Sequence, residues 1–179
     1  MKVYEAVTDA VLAARDTDHF ITSREPRITI ELGGIPGDRH FGLLRPADSR
    51  QRIYPRGTMI ANRRQISIVS AEECAQIAEA LGIEQVLPEW LGANMLLSGY
   101  EGLTLLPQGA RLLFPDGTGL ICEGENLPCI GPGEAIARAT GKPEIAATFV
   151  KAAKKKRGIV CSVEREGTVN AGDTVRIYT

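Results

Sequence analysis

Apolar and polar residues alternate in several short runs along this chain, which is the pattern of half-buried β-strands. Such runs occupy residues 27–32, 65–69, 159–163 and 174–178. Between residues 94 and 124 further short apolar runs recur between turns, with the spacing of hairpins in a sandwich or barrel. The pattern therefore predicts a mostly β protein.

A few segments have helical periodicity instead. Ser70-Ala71-Glu72-Glu73 is a capping box, and it predicts a helix that ends near Leu81 with Gly82 as its C-terminal stop. Two further helices are predicted over residues 134–140 and 143–156. The proline- and arginine-containing segment 43–62 is predicted to be a long surface loop. The predicted fold class is α+β, mostly β with a few helices, in a single domain over residues 1–179.

Composition and charge narrow the function classes. The 179 residues are 44% hydrophobic and 24% charged, which is close to the average of soluble globular proteins. A formal net charge of −1 gives no general attraction to nucleic acid or anionic lipid, so neither is expected as a partner. The sequence has no apolar run long enough to span a membrane and no signal-peptide pattern at its start, so we expect a cytoplasmic protein. Its four cysteines should then be free thiols, and without a C-x-x-C pair a zinc site has little support.

The segment Gly124 to Glu134 contains the most informative candidate, Cys129, which stands between two prolines just ahead of a predicted helix. Pro128 keeps the preceding residue extended, so Cys129 should leave the strand on a stiffened loop. Backbone N–H groups at a helix start favour a thiolate, the form that binds soft metals or carries sulfur. From spacing alone, a small buried hydrophobe at a strand end is an equal alternative. The three other cysteines are predicted to be core residues: Cys74, Cys122 and Cys161.

The glycine-rich loop Gly33 to His40 is a second candidate site. It has neither the Lys-Ser/Thr ending of a P-loop nor the G-x-G-x-x-G spacing of a dinucleotide fold. Asp38, Arg39 and His40 could together supply a proton donor and an anion contact. In the alternative, Asp38 caps the turn and His40 is a satisfied interior imidazole.

Two groups of basic residues complete the candidates. Arg63 and Arg64 have planar guanidinium groups that suit phosphate or carboxylate, although a solvated pair is the commoner case. The cations at the end of the last predicted helix are assigned a structural role, because they complement the helix dipole. They are Lys151, Lys154, Lys155, Lys156 and Arg157.

Six ordered segments resemble the MOSC domain family, named for the molybdenum cofactor sulfurase C-terminal domain. They are Gly37-Asp38-Arg39-His40, Asn62-Arg63-Arg64-Gln65-Ile66-Ser67 with Ser70-Ala71-Glu72-Glu73 after it, Leu91-Gly92-Ala93-Asn94, Gly124-Glu125-Asn126-x-Pro128-Cys129, Arg157-Gly158-Ile159-Val160 and Gly172-Asp173-x-Val175. The resemblance runs from about residue 33 to residue 177. It implies a MOSC-type β-barrel, of the stand-alone bacterial type, that binds molybdenum cofactor (Mo-molybdopterin).

The resemblance also implies roles for particular residues. The cysteine of the family's E-N-x-x-C-like motif is its proposed sulfur carrier or molybdenum ligand, and Cys129 matches it. Residues implied to hold the pterin and its phosphate are Asn126, Asn94, Arg63 and Arg64, with Arg39 as a further anion contact and with Asp38 and His40 near the metal as catalytic residues. Related members often carry an arginine shortly before the asparagine that Asn94 matches, whereas this chain reads Trp90-Leu91-Gly92-Ala93.

Three function hypotheses follow from the resemblance and the residues together. In the first, the protein is a molybdenum-dependent reductase of N-hydroxylated substrates, and it needs an electron-transfer protein as partner. In the second, it is a non-catalytic carrier of persulfide sulfur or of the cofactor, between a cysteine desulfurase and a molybdoenzyme. In the third, it is a β-barrel interaction module without cofactor, in which the Cys129 sulfur is buried with no adjoining cleft. Pyridoxal phosphate is not expected, because the chain is too short for the separate domain that binds it in full sulfurases.

Overall fold

The structure, a computed structural model, describes residues 1–16 and 18–179. Strands predominate in this part of the chain, together with helices α1 (Ala71–Leu81), α2 (Ile130–Thr140) and α3 (Ile145–Ala152) and the 3₁₀ helix Leu103–Leu105. The strands are β1 (Val3–Ala13), β2 (Ser23–Glu25), β3 (Arg27–Ile30), β4 (Leu44–Pro46), β5 (Met59–Ala61), β6 (Ile66–Ser70), β7 (Met95–Ser98), β8 (Arg111–Leu113), β9 (Gly119–Glu125), β10 (Ile159–Arg165), β11 (Gly167–Asn170) and β12 (Thr174–Tyr178).

Seven of these strands close into a barrel in the order β1, β12, β8, β9, β10, β6, β7 and back to β1. The neighbours are antiparallel except for β6 and β7, which run parallel. Strand β1 is long enough to pair with β12, β7 and β2 in turn, and so it joins the two ends of the sheet. The predicted mostly β fold and the barrel implied by the resemblance are confirmed.

Alternation along the strands fills the barrel with aliphatic side chains. On β6, Ile66 and Ile68 point inward, while Ser67 between them faces the opposite side of the sheet. Cys122 of β9 and Cys161 of β10 are cross-strand partners within the same core. Both are fully buried, as predicted.

The helices cover the outer side of β6 and β7. Helix α1 begins at Ser70, whose hydroxyl accepts a hydrogen bond from the Glu73 N–H at 3.1 Å, and ends at Gly82 with φ +63°. Its apolar stripe packs with α2 and α3 against Val69 and Leu96, the outward residues of the parallel pair. Cys74 lies within this second core, as predicted. Among the described residues, no helix combines the length and apolar character needed to cross a membrane.

Several local features differ from the sequence-based expectations. The analysis of the sequence did not identify β1, because the strand loses its alternation and becomes buried on both sides toward its end. Helix α2 begins at Ile130 rather than at Glu134, since Pro132 falls in the first turn, where a missing N–H is tolerated. Helix α3 ends at Ala152, short of the predicted end near residue 156. The segment 43–62 contains the hairpin formed by β4 and β5 rather than a continuous loop.

Gly158 lies just before β10, where the backbone passes very close to β6, and substituting it tests that close approach. Its φ is +84°, and a Cβ at this position would overlap the carbonyl oxygen of Ile68. We expect Gly158→Ala to lower the free energy of unfolding by at least about 2 kcal/mol, measured by urea denaturation. Gly141→Ala is the matched control, because that glycine also has positive φ (+69°) but has open space around it, and it should cost about 1 kcal/mol. Equal losses in the two variants would contradict the close approach of the strands.

Candidate functional site

A cleft of about 260 Å³ lies over the outer face of β6 and β10. Ser67 and Val160, cross-strand partners on these strands, form part of its lining. The loop before β4 contributes Arg39 and His40, and the start of α2 contributes Cys129. The remaining lining residues are Phe20, Arg50, Arg64, Leu91, Gly92, Asn126, Leu127, Gly131, Pro132 and Arg157. Four arginines and one thiol therefore share this cleft, and no Asp or Glu is among the described residues that line it.

Cys129 occupies the N-cap position of α2 in an extended conformation, with φ −136° and ψ 174°. Its side chain makes no capping hydrogen bond, so the first-turn N–H groups of α2 have no side-chain acceptor at the cap. The thiol is exposed, which is contrary to the alternative of a buried hydrophobe at a strand end. Cys129 is thus an accessible sulfur beside a cationic cleft.

The other three thiols lie in environments that keep them protonated. Burial raises the pKa of Cys74 to about 12 and that of Cys161 well above its ordinary 9.0, and it also raises the pKa of Cys122. A protonated, buried thiol is a poor nucleophile and a poor metal ligand. Of the four cysteines, only Cys129 therefore lies where a thiolate could react in the native protein.

Asp38 anchors the loop that carries Arg39 and His40. Its carboxylate accepts hydrogen bonds from the backbone N–H of Ala14 at 2.7 Å, from that of His40 at 2.9 Å, and from Asn94 Nδ2 at 3.2 Å. His40 Nδ1 lies 3.3 Å from Asp38 Oδ1. Asp38 thus caps the turn, as one of the two alternatives held, whereas the His40 side chain is 44% exposed and lines the cleft.

The charge of Asp38 is stabilised despite its position. Burial alone would raise the pKa of this carboxyl, but the hydrogen bonds from His40 and Ala14 outweigh burial and hold it below its ordinary 3.8. Asp38 therefore remains an ionised acceptor near neutral pH. Its buried side chain is not part of the cleft lining, so it acts on the cleft through His40 and Asn94.

Asn94 lies just outside the cleft and is fully committed to internal hydrogen bonds. Its Oδ1 accepts from the Ser67 N–H at 3.0 Å, and its Nδ2 donates to the Leu12 carbonyl at 3.3 Å as well as to Asp38. The side chain is buried between β1 and β6, and the Asn94 backbone bonds to the same two residues, with its N–H donating to the Ser67 carbonyl at 2.7 Å and its carbonyl accepting from the Leu12 N–H at 2.8 Å. Its place in the structure is that of a link between Asp38 and Ser67.

Arg64 and Asn126 form a second set of contacts that meets at Ser67. Arg64 Nη2 donates to Asn126 Oδ1 at 2.8 Å, and Asn126 Nδ2 donates to the Ser67 hydroxyl at 3.2 Å. Burial, together with the neighbouring Arg50 and Arg45, lowers the pKa of Arg64 to about 10. Arg64 remains cationic at neutral pH and is partly shielded from water, which strengthens its attraction for an anion.

Arg157 is the most deeply buried cation of the cleft, with 6% of its surface exposed. Its Nη2 donates to the carbonyl of Leu91, and its Nη1 has no hydrogen-bond partner among the described residues. Burial lowers its pKa to about 10, and the nearby thiols Cys129 and Cys74 act in the opposite direction. Arg157 thus brings a guanidinium to the segment shortly before Asn94, through its bond to the Leu91 carbonyl.

Arg63, by contrast, lies in a neighbouring groove. Its guanidinium is 3.3 Å from Glu123, and its side chain is 67% exposed. This groove also includes Arg64, which therefore has a place in both. Of the residues singled out from the sequence, the structure gathers Arg39, His40, Arg64, Asn126 and Cys129 around the cleft and places Asp38 and Asn94 behind it.

Comparison with known proteins identifies the family. The sequence model of the MOSC domain matches residues 37–176, which is most of the chain. The chain belongs to the MOSC domain family. YuaD of Bacillus subtilis (strain 168), a candidate metal-sulfur cluster biosynthesis protein by name, is 50% identical over 165 residues that span 92% of this MOSC protein and 86% of YuaD.

Solved structures agree with this assignment. The crystal structure of YuaD from Bacillus subtilis has a TM-score of 0.96 to this MOSC protein at 47% identity, and it covers 99% of this chain and 98% of that one. YiiM from Geobacillus stearothermophilus shares the fold at a TM-score of 0.63, with 11% identity over 97% of this chain and 75% of that one. At that identity the likeness to YiiM concerns the fold alone.

The sequence analysis missed three polar contributors to the cleft of this MOSC protein: Ser67, Arg50 and Arg157. Ser67 and Arg157 fall within segments that resemble the family, and that was the available signal. Arg157 was assigned a structural role at a helix end with its lysine neighbours. The structure instead ends α3 at Ala152, so Arg157 lies beyond the helix and turns into the cleft wall.

We predict that a neutral alkylating reagent modifies only Cys129 in the native protein. The other thiols are buried, so native protein should gain one iodoacetamide adduct and unfolded protein four, as read by intact mass and peptide mapping. Cys129→Ser should gain none while folded. A second adduct formed at a comparable rate would contradict the assignment of a single reactive thiol.

We predict that Asp38→Asn destabilises the protein in a pH-dependent manner. An amide in place of the carboxylate brings a donor toward the N–H groups that Asp38 accepts from, so the variant should lose about 2 kcal/mol at pH 7. Because the folded-state pKa lies below 3.8, the stability due to the charge is present above that pH and is lost as the pH falls through the folded pKa. Urea denaturation at pH 7 and at about pH 3 should show the difference narrowing at the lower value. A difference independent of pH would mean that the charge is not stabilising.

Proposed function

We propose that this MOSC protein binds molybdenum cofactor in the cleft, with Cys129 as its protein ligand to molybdenum, and acts in a reductase-type reaction on N-hydroxylated substrates. The observation that carries the proposal is the position of the one exposed cysteine beside a cleft lined by four arginines. A thiolate is a soft ligand suited to molybdenum, and arginines suit the phosphate of the pterin.

The residues present fit such a group. Among residues 1–16 and 18–179 no three His, Cys, Asp or Glu side chains gather into a cage for a bare metal ion. A metal that arrives with the dithiolene sulfurs of a pterin needs only one further protein ligand, and Cys129 is available. The unpartnered Nη1 of buried Arg157 is a donor that an anionic group of the ligand would satisfy.

The contacts suggest a division of roles. Arg64, Arg39 and Asn126 would hold the pterin and its phosphate, while Arg63 would contribute only charge because its guanidinium is paired with Glu123. When bound, the cofactor supplies two-electron redox chemistry at molybdenum.

His40 and Asp38 would act together near the metal. His40 Nδ1 faces the Asp38 carboxylate, which leaves Nε2 as the ring nitrogen able to hold or deliver a proton in the cleft. Asp38 and Asn94 are positioning residues in this proposal, because their side chains are buried behind the cleft and bond to the residues that line it.

A second candidate function is a carrier of sulfur or of the cofactor itself. It is supported by the accessibility of Cys129 and by the name of the relative YuaD, which refers to metal-sulfur cluster biosynthesis. Cys129 would accept sulfur from a cysteine desulfurase and pass it to a molybdoenzyme, without turnover of its own. In either function we place the protein in the cytoplasm, where free thiols persist.

The third hypothesis, an interaction module without cofactor, required a buried Cys129 sulfur with no adjoining cleft. The structure has the opposite arrangement, since the thiol is exposed and lies at a cleft that four arginines line. We therefore do not propose this function.

We predict that protein made in a pterin-producing host contains molybdenum and pterin and that Cys129→Ala loses the metal, because it removes the proposed ligand. Metal content by mass spectrometry and pterin fluorescence after oxidation are the measurements. Arg176→Met is the control, since Arg176 is exposed on β12 and does not line the cleft. Absence of cofactor from wild type, even when cofactor is supplied in excess, would refute cofactor binding.

Assays of wild-type protein with bound cofactor then distinguish the reductase from the carrier. Reduction of an N-hydroxylated compound with an electron-transfer protein as donor supports the reductase. Transfer of cofactor or sulfur to an apo-molybdoenzyme, without such turnover, supports the carrier.

A further inference from the structure

Arg157 is a buried cation whose hydrogen-bonding capacity the chain leaves incomplete. Only Nη2 is bonded to the chain, to the Leu91 carbonyl, while Nη1 is buried and has no acceptor among the described residues. An unpaired charged donor in such a position is costly, and buried groups of this kind are normally satisfied. Because Arg157 shares the cleft with Cys129, an anion bound there is the partner that would complete its bonding.

The start of α2 is an independent feature that favours an anion at the same place. The helix is eleven residues long, Cys129 is its N-cap, and the Cys129 side chain does not bond to the first-turn N–H groups. Gly131 of this first turn also lines the cleft, and so does Pro132, which has no N–H to donate. Helix N-termini attract anions through their free N–H groups and their dipole.

The surroundings contain cations and no opposing carboxylate. Arg39 and Arg64 line the cleft with Arg157, while Arg50 is bonded to Asp48. No Asp or Glu lies among the described lining residues, so no carboxylate in the lining neutralises the positive charge of the arginines. The most buried cation lies on the wall inside a cleft of about 260 Å³, a volume that accommodates a small anion or the anionic group of a larger ligand.

We propose that the Cys129 end of the cleft binds a small sulfur oxyanion, thiosulfate, and that Cys129 takes its outer sulfur atom. The Cys129 thiolate attacks the outer sulfur, the S–S bond of thiosulfate breaks, and its electron pair leaves with sulfite. A new S–S bond forms, so Cys129 becomes a persulfide and no external oxidant or reductant is needed. An acceptor, a small thiol or cyanide, then removes the outer sulfur and restores the thiolate.

The two anion-binding features have a definite part in this step. Negative charge moves from the attacking sulfur to the departing sulfite, and donors fixed beside the reaction stabilise that charge without reorganising. Arg157 and the first-turn N–H groups of α2 are such donors. The inference depends on the accessible Cys129 that also underlies the proposed function, but it needs no bound cofactor.

The test uses protein purified from a host that makes no pterin, so that cofactor binding and sulfur transfer are measured separately. Thiosulfate and cyanide are added, thiocyanate is measured, and the Cys129 peptide is examined by mass spectrometry for one added sulfur atom. Wild type should form thiocyanate and the persulfide, and Cys129→Ser should form neither. A wild-type protein that forms neither product overturns the inference and leaves cofactor binding to be judged on its own measurement.

Arg157 variants test how the anion is held. Arg157→Met should raise the thiosulfate concentration for half-maximal rate by about tenfold or more, because a charge-assisted contact is lost, and Arg157→Lys should restore part of it. Arg176→Met, the same change on an exposed barrel strand, should leave that concentration unchanged. Unfolding curves establish that each variant is folded.

A third arm needs no variant. Sulfate has no transferable sulfur, and it should compete with thiosulfate in wild type and slow the alkylation of Cys129. Half-maximal concentrations that are equal in wild type, Arg157→Met and Arg157→Lys, with no competition by sulfate, would overturn the anion site.

Discussion

The side chain of Asn94 supports the whole cleft, because it satisfies backbone groups at the place where three strands of the barrel meet. It accepts from the Ser67 N–H of β6 and donates to the Leu12 carbonyl of β1, next to the bonds that the Asn94 backbone makes to the same two residues. Its third bond, to Asp38, attaches the His40 loop to the barrel. The need to satisfy buried polar groups thus fixes the loop, the strand and the lining of the cleft in one arrangement.

The apolar interior of the barrel has an equally direct bearing on sulfur chemistry. Cys122 and Cys161 point inward by the alternation of β9 and β10, and burial keeps their thiols protonated. Cys129 escapes this environment because the chain has left β9 at Glu125 and has not yet entered α2. The strand period and the position of one helix start therefore decide which thiol is reactive.

The sequence predicted those helices and strands that depend on residues within a few positions of each other. The capping box at Ser70, the glycine stop at Gly82 and the alternation of β6 and β10 are each contained within a few residues, and these elements formed where the sequence indicated. Strand β1 was not predicted, because much of its burial comes from β12 and β7, which are distant in sequence. The early start of α2 likewise depends on packing, since Gly133 lies against Phe149 of α3.

The candidate site divides in the same manner. Cys129, Asn126 and Arg64 stand in short motifs that can be read from the sequence, and the structure brings them to one cleft. Arg157 follows three consecutive lysines, and nothing local distinguishes it from a solvated cation. Its burial arises only in the folded chain, which brings it to the Leu91 carbonyl and close to Cys74 of α1 and to Cys129.

The burial of Arg157 also bears on what the cleft selects. An exposed arginine attracts any anion, and salt screens that attraction. A buried arginine has already lost its hydration, so only an anion small enough and shaped to reach it compensates for that loss. In the proposed anion site, Arg39 at the surface would attract the anion on approach, and Arg157 in the wall would hold it once bound. Selection among anions beside Cys129 would then rest on the buried cation rather than on the total charge of the cleft.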